Sequence, residues 1–204
     1  TGSKLVLVDA GAGQLFGPTL GNLVANLKAS GYQPEQVDEI YITHLHADHC
    51  GGLMAGDQRA FPNAIVRVDQ HDADFWLSQA NLDKAPEAFK DVFRGAQASI
   101  NPYIAAGKFE PFDGDTELVP GVKAVASRGH TPGHAIFVVE SQGQKLVLWG
   151  DLMHVGAVQF ARPFVTIQFD VDPKAAAAQR KRAYAAAARE GHWVAAAHLP
   201  FPGI

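Results

Sequence analysis

His44, His46, Asp48 and His49 place three imidazoles and a carboxylate within six residues. A divalent ion such as zinc takes imidazole nitrogen or carboxylate oxygen at about 2.0–2.2 Å, and a catalytic ion keeps one position open for water. The cluster is dense enough for two ions, yet one tight loop cannot wrap both. Further ligands are expected from the ends of other strands, and three candidates follow in order: His134 after Thr131-Pro132-Gly133, Asp151 after Gly150, and His198 after Ala195-Ala196-Ala197. Two divalent ions carry four positive charges, of which Asp48 and Asp151 offset two. A bridging water between them would ionise near neutral pH and supply a nucleophile, with no Ser or Cys nucleophile needed.

The elements that must position these groups read as an alternation of strands and helices. Lys4 to Val8 is a short buried strand leading into the glycine-rich turn Asp9 to Gly13. Thr19 is placed to cap a helix carrying Leu20, Leu23, Val24 and Leu27, with Gly31 at its C-terminal end. Asp38 to Thr43 alternates as a strand and delivers the histidine cluster at its C-terminal end, where α/β proteins build sites. Ala64 to Val68 is another strand, Asp69 a cap, and His71 to Ala80 and Pro86 to Ala98 are helices. Turn signals at 113–115 and 120–121 separate short strands, and Ala135 to Glu140 with Lys145 to Trp149 forms a hairpin. Asp172-Pro173 opens an alanine-rich helix that stops at Gly191, and Trp193 to Ala197 is a last strand that delivers His198.

Composition bounds the rest. With 204 residues, 47% of them hydrophobic, the chain reads as a single α/β domain over residues 1–204 with a sizeable core. A formal charge of −4, from 17 basic against 21 acidic side chains, is too mild and evenly spread for coating nucleic acid. No stretch approaches the roughly 18 consecutive apolar residues of a membrane span. One cysteine, Cys50, excludes an internal disulfide and a cysteine-built zinc site. Neither G-x-x-x-x-G-K-[ST] nor G-x-G-x-x-G occurs, so no nucleotide site is implied.

The order H-x-H-x-D-H, G-H-T-P-G-H, G-D and a late histidine resembles the metallo-β-lactamase superfamily. That resemblance implies an αβ/βα four-layer sandwich with a binuclear metal centre at its rim, holding two divalent ions, zinc first and Co, Mn or Fe as alternatives. Carried over, His44, His46 and His134 would hold one ion and Asp48, His49 and His198 the other, with Asp151 bridging. His130 would support through a hydrogen bond. Diiron oxidoreductases of the superfamily typically carry Glu where His46 stands, so hydrolysis is implied rather than redox chemistry. The stretches GAGQLFGPTLGNL, QPEQVDEIYITH, DADFWLSQ, NLDKAP, VVESQGQKL and HLPFPGI further resemble the methyl parathion hydrolase group. Departures are Cys50 after the motif, Met153-His154 after the bridging Asp, and an end six residues past His198. Members generally have strands before Thr1 and after Ile204, so the resemblance implies a chain trimmed at both ends. It also implies a homodimer and a periplasmic or secreted location.

The group's substrates would be aryl phosphotriesters and aryl esters, with a lactonase or arylesterase as the alternative. Phe16, Trp76 and Phe93, from three segments, are candidates to line an aryl pocket, against ordinary core packing. His154 is a candidate substrate contact or packing residue. A metal-stabilised binding module without turnover is the reading outside enzymology. His71 and His192 read as surface or helix-terminal residues, and Cys50 as a small packed residue.

Overall fold

Short β-branched runs account for the first sheet: β1 (Val6–Val8), β2 (Glu39–Tyr41) and β5 (Ile65–Arg67) pair in parallel in the order β1-β2-β5. The structure, a computed structural model, describes residues 1–17 and 19–204 and divides into two units, Thr1–Phe112 and Asp113–Ile204.

In the first unit, β1 leads to α1 (Leu23–Ala29) and a 3₁₀ turn (Pro34–Gln36) before β2. The helix begins later than Thr19, which corrects the expected start. Gly21 holds φ at +85° with its Cα facing the Gly13 carbonyl, so the chain enters helical geometry only after it, at Asn22. After β2 comes the one-turn α2 (Ala47–Cys50), the 3₁₀ turn Gly51–Leu53, and the small hairpin β3 (Met54–Ala55) and β4 (Gln58–Arg59). The helix expected over His71 to Ala80 is two helices, α3 (Gln70–Trp76) and α4 (Gln79–Lys84). Ser78 is extended, and its hydroxyl accepts the Asn81 amide to start the second one. The long α5 (Glu87–Ala105) exceeds its expected range and buries Phe93, Ala96, Ile100 and Tyr103 against Ile40, Ile42, Val66 and Val68. Burial on that scale, at about 1.5–3 kcal/mol for each large apolar side chain, is what holds the histidine loop's strand in place.

In the second unit the sheet runs β10-β9-β8-β7-β6, built from β6 (Thr116–Val119), β7 (Val122–Ala126), β8 (Ala135–Ser141), β9 (Gln144–Leu148) and β10 (Trp193–Ala195). Neighbours are antiparallel except β10, which joins β9 in parallel. After β9 come the short α6 (Gly156–Gln159) and then α7 (Pro173–Glu190). Asp172 caps α7 through the Ala175 amide, and Gly191 ends it at φ +66°. Ala183, Tyr184 and Ala187 pack this helix on Val147, Trp149 and Val194. Among the described residues no helix is long and apolar enough to cross a membrane.

One close approach holds the histidine loop to the turn after β1. A Cβ on Gly52 would lie 1.9 Å from the Ala10 carbonyl oxygen, and one on Gly51 2.4 Å from that of Ala12. The Gly52 amide bonds the Gly11 carbonyl at 2.8 Å. Gly95 in α5 differs, because its Cβ would meet the Ala47 methyl at an ordinary 3.5 Å. Gly52→Ala should therefore destabilise by about 2 kcal/mol or more, whereas Gly95→Ala should stabilise by up to about 1 kcal/mol in urea unfolding. Equal effects of the two would contradict this packing.

Candidate metal centre

The first unit orients two of its histidines through their Nδ1 atoms. Asp9 sits at the end of β1 with φ +56°, a left-handed conformation rare for a side chain other than glycine. That strained backbone aims its carboxylate at the histidine loop. Oδ2 meets His49 Nδ1 at 2.8 Å and the Thr43 hydroxyl at 2.9 Å, while Oδ1 accepts the Thr43 amide at 2.7 Å. Thr43 Oγ1 in turn lies 3.1 Å from His44 Nδ1. A carboxylate accepts only, so His49 carries its proton on Nδ1; with the Thr43 hydroxyl donating to Asp9, its oxygen accepts from His44 Nδ1. In that tautomer Nε2 is the ring nitrogen of each imidazole that could serve a cation.

Other contacts fix the same loop. Buried Asp72, in the first turn of α3, accepts the Leu45 amide at 2.7 Å. His46 stands edge-on to Trp76, ring centroids 5.3 Å apart, and close to His44 at 4.6 Å. Possible ligand atoms of His44 and His46 lie within 4.8 Å of one another, as do those of Asp48 and His49. Asp48 Oδ2 is 3.6 Å from His49 Nε2.

The second unit gathers its candidate ligands around Asp151. Gly150 and Asp151 directly follow β9, and the parallel register Leu148↔Ala195 sets the end of β10 alongside. His198, just past β10, thus comes within 3.2 Å of Asp151 Oδ2. The same oxygen meets His154 Nε2 at 2.9 Å and His130 Nε2 at 3.3 Å. His154 stacks on His198 at 4.8 Å. The loop from Ser127 to His134 joins β7 to β8 and is closed by the Ser127 amide on the His134 carbonyl at 2.8 Å.

Within that loop the two histidines differ in what their ring nitrogens meet. His134 Nδ1 donates to the Ser127 carbonyl at 3.1 Å, and its Nε2 accepts the Asp151 amide at 3.1 Å. Both ring nitrogens of His134 thus face backbone groups. His130 has the opposite arrangement, with Nδ1 on Asp170 Oδ1 at 2.9 Å and Nε2 toward Asp151. Burial disfavours its imidazolium, and Asp151 with Asp170 more than offset that, raising its pKa. Burial also pushes Asp170 up, but the His130 hydrogen bond and Ile167 amide hold it below its ordinary value.

The aromatic candidates separate. Trp76 and Phe93 are core residues packed together at 4.7 Å with Phe75 alongside, and Phe16 is 60% exposed on the loop after β1. His71 Nδ1 bonds its own capping residue Asp69 at 3.0 Å. Sequence reading missed Asp9, Thr43, Asp72 and Asp170. Asp9 carried a signal, since it closes a strand and precedes a glycine turn; Asp170 carried none.

The family described as the metallo-beta-lactamase superfamily matches residues 1–198. The chain belongs to the metallo-β-lactamase superfamily. An N-acyl homoserine lactonase of Bacillus cereus is 31% identical over 126 residues, 62% of this chain and 42% of that protein. The chain thus matches less than half the length of that curated relative. Among solved structures, hydrolase AbOPH of the beta lactamase superfamily shares 41% identity at TM-score 0.93, across all of this chain and 71% of its own. AidC, a dizinc quorum-quenching lactonase in complex with a product N-hexanoyl-L-homoserine, shares 27% at TM-score 0.89 over the same proportions. The mixed α/β fold class expected from the motifs is that of the metallo-β-lactamase superfamily.

Cys50, beside His49, is fully buried, and burial pushes its thiol up to about 12 despite a hydrogen bond with Ser99. A thiol with a raised pKa gains reactivity only as pH rises through that value. Native protein should resist iodoacetamide at about pH 8.5, where an unperturbed cysteine near 8.5 is half ionised, and label fully in denaturant. Rapid native labelling would contradict the assigned packing.

Proposed function

We propose that this chain is a metal-dependent hydrolase of small activated esters, with a lactone carbonyl as the favoured substrate. The observation that carries the reading is the set of Nδ1 partners: Asp9 for His49, Thr43 for His44 and Asp170 for His130, which make Nε2 the ring nitrogen that would serve a cation. In this proposal His44, His46, His130 and Asp151 would hold one divalent ion and Asp48, His49, Asp151 and His198 a second. His130 stands where the resemblance alone put His134. A single catalytic domain over residues 1–204 belongs to this proposal. Zinc fits the nitrogen-rich donor set best, with Co, Mn and Fe also compatible.

Two bound divalent ions would supply an ionised water at neutral pH and Lewis acidity toward the substrate oxygen. The chain's own groups do the rest. Asp9, Thr43 and Asp170 keep the imidazoles oriented, so little reorganisation is needed when substrate arrives. Asp48, part exposed beside His49, is the carboxylate assigned to take up the proton released on attack. His154, 12% exposed at its side chain and bonded to Asp151, is assigned to substrate contact, and Phe16 to the rim of the leaving-group pocket. Trp76 and Phe93 support that wall from within the core rather than forming its surface.

Similarity to N-acyl homoserine lactonases and to AidC supports the lactone class. A phosphotriester is the second reading, favoured by the flanks that resemble the methyl parathion hydrolase group. An aryl-oxide leaving group needs little proton donation, so the two substrate classes place different demands on one site. A homodimer and an exported location belong to this proposal on the resemblance alone.

The test compares kcat/KM for an N-acyl homoserine lactone, dihydrocoumarin and methyl parathion in one preparation. Chelation should lower all three by about 100-fold or more and added zinc should restore them. Lactone turnover should lead by at least about tenfold, worth 1.4 kcal/mol in transition-state binding. Dominant methyl parathion turnover would move the assignment to the phosphotriester reading, and turnover untouched by chelation would refute metal-dependent hydrolysis.

A further inference from the structure

Arg180 is fully buried in the middle of α7, within an alanine-rich sequence whose other basic residues are not buried. A guanidinium there must find acceptors for its donors, and it does. Nε donates to the Leu152 carbonyl at 2.7 Å, and Nη1 to the carbonyls of Pro163 at 2.9 Å and Val165 at 2.8 Å. Nη2 is 4.0 Å from Asp170 Oδ2. One side chain thus grips both ends of the segment that leaves Asp151 and returns at Asp170. Gln159 braces the same segment, accepting the His154 and Val155 amides and donating to the Val165 carbonyl.

The return is as firmly held. The Val171 amide bonds the His130 carbonyl at 3.0 Å, and the Asp172 amide bonds the Gly129 carbonyl at 2.8 Å. Gly129 is required there, since a Cβ would lie 2.3 Å from the Ala176 amide nitrogen. Asp170 therefore reaches His130 with fixed geometry, one carboxylate oxygen on Nδ1 and the other accepting the Ile167 amide at 3.2 Å.

We propose that Arg180 is a positioning residue for the metal ligand His130, acting through Asp170. Its guanidinium anchors the Leu152, Pro163 and Val165 carbonyls and lies against Asp170, and so holds that carboxylate where its Oδ1 meets His130 Nδ1. The inference rests on the assignment of His130 as a ligand. It adds a buried guanidinium behind Asp170, with carbonyls of the 152–165 segment as its anchors.

The test uses the full chain, zinc alone as probe, and two readouts independent of turnover. Zinc affinity comes from competition with a chromogenic chelator, and the tautomer of His130 from ¹⁵N shifts of the zinc-free protein. Asp170→Asn is isosteric, but its amide can donate to Nδ1 and drive the proton to Nε2. It should weaken zinc binding about 10- to 100-fold and switch the tautomer. Arg180→Met should also weaken zinc binding, and Arg180→Lys, which keeps charge but not the fork, should fall between it and the parent. If Arg180→Met does not fold, Asp170→Asn and Arg180→Lys decide the matter. Ala183→Gly, on α7 away from these groups, should lower the thermal midpoint without changing zinc affinity. If His130→Ala loses zinc while Asp170→Asn and Arg180→Lys bind as the parent does, the inference falls alone. A parent that binds no zinc, or a His130→Ala variant that binds it fully, overturns the ligand assignment and the inference with it.

Discussion

The paired carboxylate and imidazole is the interaction on which the rest of this structure depends. A neutral imidazole can carry its proton on either nitrogen, and only one tautomer offers Nε2 to a cation. Asp9 resolves that choice for His49 and, through Thr43, for His44, whereas Asp170 resolves it for His130. Burying a carboxylate is costly unless it is hydrogen-bonded, so the surrounding fold is arranged to satisfy these two. The left-handed backbone of Asp9 and the Arg180 network behind Asp170 are the visible consequences.

Each unit meets the demand with different architecture. In Thr1–Phe112 the donors sit at the C-terminal ends of parallel strands, where β1 and β2 place Asp9 beside Thr43. In Asp113–Ile204 they sit in loops of a mostly antiparallel sheet, so the fixing carboxylate must come from a segment far along the chain, forty residues after His130. That separation explains the cross-bracing of residues 152–172. Their only regular structure is the four-residue α6, so side chains replace secondary structure as the means of holding shape.

This contrast also explains what the sequence made legible. Strand and helix identity followed from local periodicity, and the α7 boundaries followed from Asp172-Pro173 and Gly191, because capping is local chemistry. The start of α1 and the break at Ser78 did not, since they turn on the φ of Gly21 and the extended backbone of Ser78. The metal motif was legible as a dense set of donors. Which histidine of Gly129-His130-Thr131-Pro132-Gly133-His134 sets its Nδ1 on a carboxylate was not, because that depends on Ser127, Asp151 and Asp170, which come from elsewhere in the fold. Arg180 lies in a run of basic residues, and nothing in its neighbours' identities distinguishes a buried guanidinium from an exposed one.

The most direct test of the account is diffraction from zinc-loaded crystals, with anomalous differences recorded on either side of the zinc absorption edge. The account predicts two zinc peaks per chain, one of them about 2.0–2.1 Å from His130 Nε2 and neither in contact with His134. A peak coordinated by His134, or a chain with no ordered zinc at these residues, would contradict it.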